Sequence, residues 1–193
     1  MIISLLSIGL ISILGQVILL RELNVAFYGV ELVYLISLGI WLFWTAMGAL
    51  VGRRNILPSH THIAFLFIIF GITLPLNIVF IRASRLLFGG VPGAYLPFLQ
   101  QLTVAIISLL PAGLLSGLLF QWAAKIFTAR DKTLAIAYSI ESAGGLAGGL
   151  LATLFLTWKI QNCSIAFACG LIAVTTPLFF PKGGKTSFLR WAA

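Results

Sequence analysis

Residues 102–124 read LTVAIISLLPAGLLSGLLFQWAA, twenty-three residues without a charge, followed at once by Lys125. At 1.5 Å per residue a helix of that length covers about 35 Å, enough to cross the roughly 30 Å hydrocarbon core of a bilayer. Comparable apolar runs lie on either side, at 2–20, 30–51, 62–81, 134–158 and 163–180. Of the 193 residues 61% are apolar and only 8% charged, and the mean hydropathy is +1.13. Lipid rather than water is the principal solvent of such a chain. The expected fold is therefore an all-α membrane protein: a six-helix transmembrane bundle over 1–181, followed by a short basic tail, 182–193. The spans use about 127 residues and leave roughly 66 for every loop and tail, too few for a separate nucleotide-binding domain.

Twelve Lys and Arg face four acids, Glu22, Glu31, Asp131 and Glu141, for a net charge of +8. The basic residues fall at span ends, where topology and anionic lipid account for them; the bilayer, not nucleic acid, is the expected partner. Arg53, Arg54, Lys125, Arg130, Lys132, Lys182, Lys185 and Arg190 follow even-numbered spans, whereas Arg21, Arg82, Arg85 and Lys159 follow odd-numbered ones. By the positive-inside rule this eight-to-four imbalance predicts cytoplasmic N- and C-termini. The first span has no basic flank before it and runs into Arg21-Glu22 rather than a small-residue cleavage site, so it reads as a retained helix rather than a signal peptide. Cys163 and Cys169, six apart in the last run, point to different helix faces and predict no disulfide, while His60 and His62 lie at a span edge on different faces. Neither pair suits a metal or haem, and no cofactor is expected.

Glu141 is the most informative acid. It lies nine residues beyond Lys132, about 13 Å along a straight helix, where a carboxylate costs about 2.5–3.5 kcal/mol on insertion scales. It should face the bundle or a wet cavity, be protonated, or find a partner; Gln16 in the first span is the candidate hydrogen-bond donor and Arg21 a longer reach. Two roles stay open, a packing bond between helices or a ligand, proton or cation site. Arg21 and Glu22 are neighbours and need not face each other, so each can meet a different helix. Around Glu141 the sequence ESAGGLAGGLLA pairs Gly144 with Gly148 and Gly145 with Gly149, and Ala143 with Ala147 extends the same small-residue groove. Gly113 with Gly117, and Gly48 with Gly52, repeat the spacing, while Pro75 and Pro111 predict kinks. The segment 82–101, RASRLLFGGVPGAYLPFLQQ, reads as a loop lying at the interface or folded back over the bundle. Trp122, Trp158 and Trp191 are expected as interfacial belt residues, and the tail PKGGKTSFLRWAA (181–193) can rest on anionic lipid.

The segments GQVILLREL (15–23), MGALVGRR (47–54), LLPAGLLSGLLF (109–120) and AYSIESAGGLAGGLL (137–151), taken in order, resemble the transmembrane module fused ahead of spermidine synthase-like, polyamine aminopropyltransferase-like domains in bacteria. The resemblance implies a multi-pass protein of the bacterial cytoplasmic (inner) membrane, and places Gln16, Arg21, Glu22 and Glu141 at the module's polar landmarks. The chain departs from that family after the sixth span, with no glycine-rich strand-to-helix turn for a nucleoside cofactor and too few acids to recognise a polyamine as the synthase does. Synthase activity is therefore not expected, nor any catalytic constellation. MGALVGRR also resembles the loop between the second and third spans of major facilitator transporters, of which six spans are half; on that reading a transporter would have to dimerise. The leading expectation is a non-catalytic membrane subunit or docking platform, its partner another membrane protein, a synthase-like subunit or a second copy. The alternative is a small transporter or binding protein for a polyamine or other organic cation that uses the intramembrane Glu141.

Overall fold

A computed structural model describes residues 1–54, 58–90, 93–129 and 131–179. They form six α-helices: α1 (Ile2–Ala26), α2 (Glu31–Gly52), α3 (His60–Leu87), α4 (Phe98–Thr128), α5 (Leu134–Thr157) and α6 (Asn162–Thr175), the last continued by a 3-10 turn over Thr176–Phe179. There is no strand among the described residues. With that turn added to α6, all six are long and apolar enough to cross a membrane, as a multi-pass protein requires. The expected tail 182–193, with Lys182, Lys185, Arg190 and Trp191, and also Arg130, lie outside the described residues.

Three helices overrun their apolar windows. α1, α3 and α4 continue to Ala26, Leu87 and Thr128, so Arg21, Glu22, Arg82 and Arg85 ride on helical extensions rather than in loops. The expected loop 82–101 shrinks accordingly, its first six residues completing α3 and its last four opening α4. A helix does not end where hydrophobicity ends; it ends where its carbonyls find other partners. What remains of the loop does fold back: Leu96 is buried and its carbonyl accepts from Gln101 Nε2 at 2.6 Å. At the opposite end Ser59 caps α3, accepting from the His62 N–H at 3.3 Å. The His62 imidazole Nδ1 accepts from the Ser59 N–H in return and its ring lies edge-on to Trp122. These contacts give His62 a capping role.

The helices pack in three main pairs, α1 with α5, α2 with α4 and α3 with α6. In a bilayer, apolar side chains gain little by leaving lipid for protein, so close backbone approach at small residues carries association. A Cβ at Gly144 or Gly148 would collide with the backbone of Leu6 or Leu10 on α1, and one at Gly9 with the backbone of Glu141. Equivalent collisions await Gly48 against Leu114 and Gly117 against Thr45 in the α2–α4 pair, where Gly113 and Gly52 abut Trp44 and Gln121. Gly145 meets the Ile13 side chain and the Gly9 backbone, and Gly149 touches only the Ile13 side chain. The tightest backbone approach on α5 runs along Gly144 and Gly148, with Gly145 against Gly9, while Ala143 is exposed. Pro75 and Pro111 both lie within continuous helices. Pro75 has no N–H for the Gly71 carbonyl, and that carbonyl faces α6, where a Cβ on Gly170 would come within 2.7 Å of it.

Exchanging α1 with α4, α2 with α5 and α3 with α6 converts the α1–α5 pair into the α4–α2 pair and leaves α3–α6 unchanged. Three helices per half give the second half inverted topology, the arrangement of many transporter repeats. α2 and α5, equivalent under this exchange, are also the least covered helices, with only 22% and 17% of their apolar windows buried against 56% for α4.

Candidate functional site

A buried carboxylate organises the end of the bundle from which the α1–α2 connection emerges. Glu22, 5% exposed near the end of α1, accepts from Arg82 Nε of α3 at 2.6 Å and from Asn162 Nδ2 of α6 at 2.7 Å. Asn162 in turn accepts from Arg21 Nη1 at 3.1 Å. Both carboxylate oxygens are thus used, and the neighbours Arg21 and Glu22 share one asparagine of α6, while Glu22 alone also reaches α3. One turn further on, Arg85 donates to the carbonyls of Ala26 and Ala94 and stacks its guanidinium 4.2 Å above the Tyr28 ring. Tyr28 and Gly29 occupy left-handed backbone conformations in the tight α1–α2 connection, natural for Gly29 and strained for Tyr28. Contacts hold Tyr28 there: its hydroxyl accepts from the Gly93 N–H and its ring meets Tyr95 edge-on.

Glu141 lies elsewhere. It is the eighth residue of α5, half-buried on the seam with α1, where its backbone rather than its side chain makes the close approach to Gly9. α1 and α5 run parallel, with Leu6 beside Gly144 and Leu10 beside Gly148. Gln16 is seven residues beyond Gly9, about 10 Å along the axis, and the expected Gln16–Glu141 hydrogen bond does not form. Arg21, further still, is bound to Asn162. Among the described residues the Glu141 carboxylate has no hydrogen-bond or ion-pair partner, and no cluster of His, Cys, Asp and Glu could hold a metal ion. Both cysteines are free, Cys169 buried with its thiol directed at the Ile11 carbonyl 3.7 Å away.

The four predicted polar landmarks therefore separate into two places: Arg21 and Glu22 in one network, Glu141 alone on the α1–α5 seam, and Gln16 half-buried between them in depth. Sequence reading missed Arg82 and Asn162 as partners of Glu22. A signal existed, since Arg82, Asn162 and Glu22 all lie at span ends on the same side of the expected topology. The Glu22 network can bind helices together and present guanidinium groups to an interface, and its described residues include no nucleophile paired with a base. No protein family, curated protein or solved structure matches the chain.

Proposed function

We propose that this chain is a non-catalytic integral membrane module of the spermidine synthase-like type, acting as a subunit or docking platform in a larger assembly of the bacterial inner membrane. Its termini lie in the cytoplasm on this reading. The observation that carries it is the bareness of α5. Its buried residues are Ala137, Gly144, Gly148 and Ala152, all on one narrow stripe against α1, while Ser139, Ser142, Ala143 and Leu146 are exposed. Small and hydroxyl-bearing residues at mid-helix are what a second protein helix packs against; a lipid-facing surface needs none of them. A photo-crosslinking residue at Leu146 tests this against the same residue at Leu76 on α3. Crosslinks to a defined protein, another subunit or a second copy, should form from Leu146 and not from Leu76. Lipid adducts alone from both positions would refute the assembly reading.

A second reading, transport of a polyamine or other organic cation, is favoured by the inverted pairing of the two three-helix halves and by the unpaired Glu141 on one of its glycine seams. Proteoliposome uptake of a labelled polyamine by the parent and by Glu141→Gln separates the cases. Flux lost in the variant supports transport, and equal background flux in both eliminates it.

A further inference from the structure

The outer face of the α3–α6 pair carries a groove of about 440 Å3, within the range of small-molecule sites. Ile72, Leu76 and Val79 of α3 face Phe167, Leu171 and Val174 of α6 across it. All are well exposed, so the groove opens to the hydrocarbon. Gly71 and Gly170 form its floor, brought together where Pro75 interrupts the α3 hydrogen-bond ladder.

The head of the groove carries charge. Arg82 lies seven residues after Pro75 and three after Val79, both groove-lining, and so continues that edge of α3. On α6 the groove begins at Cys163, next to Asn162, whose side chain shares the Glu22 carboxylate with Arg82. Glu22 engages only Nε of Arg82, and the Arg82 side chain is 53% exposed. Its two terminal nitrogens make no hydrogen bond among the described residues, and the Nε bond fixes the plane in which they are presented. Arg21 adds a second guanidinium to the same network, and one carboxylate does not neutralise both. From Gly71 to Arg82 is eleven residues, about 16 Å, half of the roughly 30 Å hydrocarbon core and so the depth of one leaflet.

We propose that the α3–α6 groove seats one acyl chain of an anionic phospholipid whose phosphate is held by Arg82. The apolar length requires a chain that ends near the bilayer midplane, and the cationic head requires an anion at the interface. A phospholipid of the leaflet nearest the α1–α2 connection supplies both in one molecule; free phosphate supplies only the second. This site does not depend on the assembly or transport readings, which concern α2, α5 and Glu141.

Native mass spectrometry of the full chain in mild detergent, titrated with phosphatidylglycerol, tests it. The parent should retain one lipid per chain, bind phosphatidylcholine more weakly, and keep its lipid against millimolar inorganic phosphate. Val79→Trp, which pushes a larger ring into the groove one turn from Arg82, and Arg82→Gln, which removes the charge, should each weaken retention at least tenfold. Leu35→Trp on exposed α2 should not. Parent-like retention by Val79→Trp would overturn the proposal even if Arg82→Gln disturbs the fold. So would complete displacement by inorganic phosphate, which would indicate a headgroup site with no chain in the groove.

Discussion

Replacing Glu22 by Gln tests whether the buried network holds α1, α3 and α6 together. The amide keeps one acceptor oxygen but turns the other into a donor, which must then face either Arg82 Nε or Asn162 Nδ2, both donors themselves. Hydrogen bonds to a charged group contribute about 1.5–3 kcal/mol, and an orphaned buried donor costs about 1–3 kcal/mol. The two partners differ in what they lose. Arg82 is half-exposed and recovers water, so its share falls toward the ~0.2–1 kcal/mol of exposed ion pairs. Asn162 is 8% exposed and recovers little. The expected loss for Glu22→Gln is about 1–3 kcal/mol, with the neutral asparagine coupling to Glu22 more strongly than the cationic arginine. Denaturant unfolding in bicelles, run as double-mutant cycles with Asn162→Ala and Arg82→Gln, reads both couplings. Stability within about 0.3 kcal/mol of the parent, or a larger coupling to Arg82 than to Asn162, would refute this reasoning.

Gly48→Ala should cost about 1–3 kcal/mol by forcing α2 off the Leu114 backbone, whereas Gly39→Ala, with open space around it, should be neutral or slightly stabilising; the same unfolding assay compares them. Ser59→Ala should lose about 0.5–2 kcal/mol by uncapping α3 and freeing His62, and an unchanged melting temperature would count against the cap. A membrane-permeant maleimide should label half-buried Cys163 well before Cys169, and equal rates in the folded protein would contradict the packing of Cys169 beneath Ile11.

Much of the fold was legible because solvent imposed it. Each of the six runs became a helix, since a chain in hydrocarbon must satisfy its backbone internally, and the stretch 102–124 alone sufficed to announce that rule. Helix ends were less legible. Hydropathy windows stop at Arg21 and Arg82, but the helices run on because Asn162 and Glu22 make those charges tolerable, and partners 60 to 141 residues away leave no mark on a local window. Gly48, Gly117, Gly144 and Gly148 sit where a Cβ would meet a facing backbone, yet which helix lies across each seam follows from the three-dimensional pairing alone. Gln16 and Glu141 looked like partners because both are polar within apolar runs. Depth along α1 and α5 separates them, and depth depends on how two helices are staggered.

The spacing of the Glu22 partners also dictates an order of events at the ribosome. Arg82 follows Glu22 by 60 residues and Asn162 by 140. At about 5–20 residues per second, the carboxylate enters the insertion machinery some 3–12 seconds before its first partner and 7–28 seconds before its second. Until Arg82 emerges α1 carries an acid with no native partner, until Asn162 emerges the network stays incomplete, and the α1 glycine seam waits equally for α5. Nascent chains halted before residue 162 should therefore hold α1 near the exit of the translocation channel, releasing it to lipid only once the sixth helix has been made.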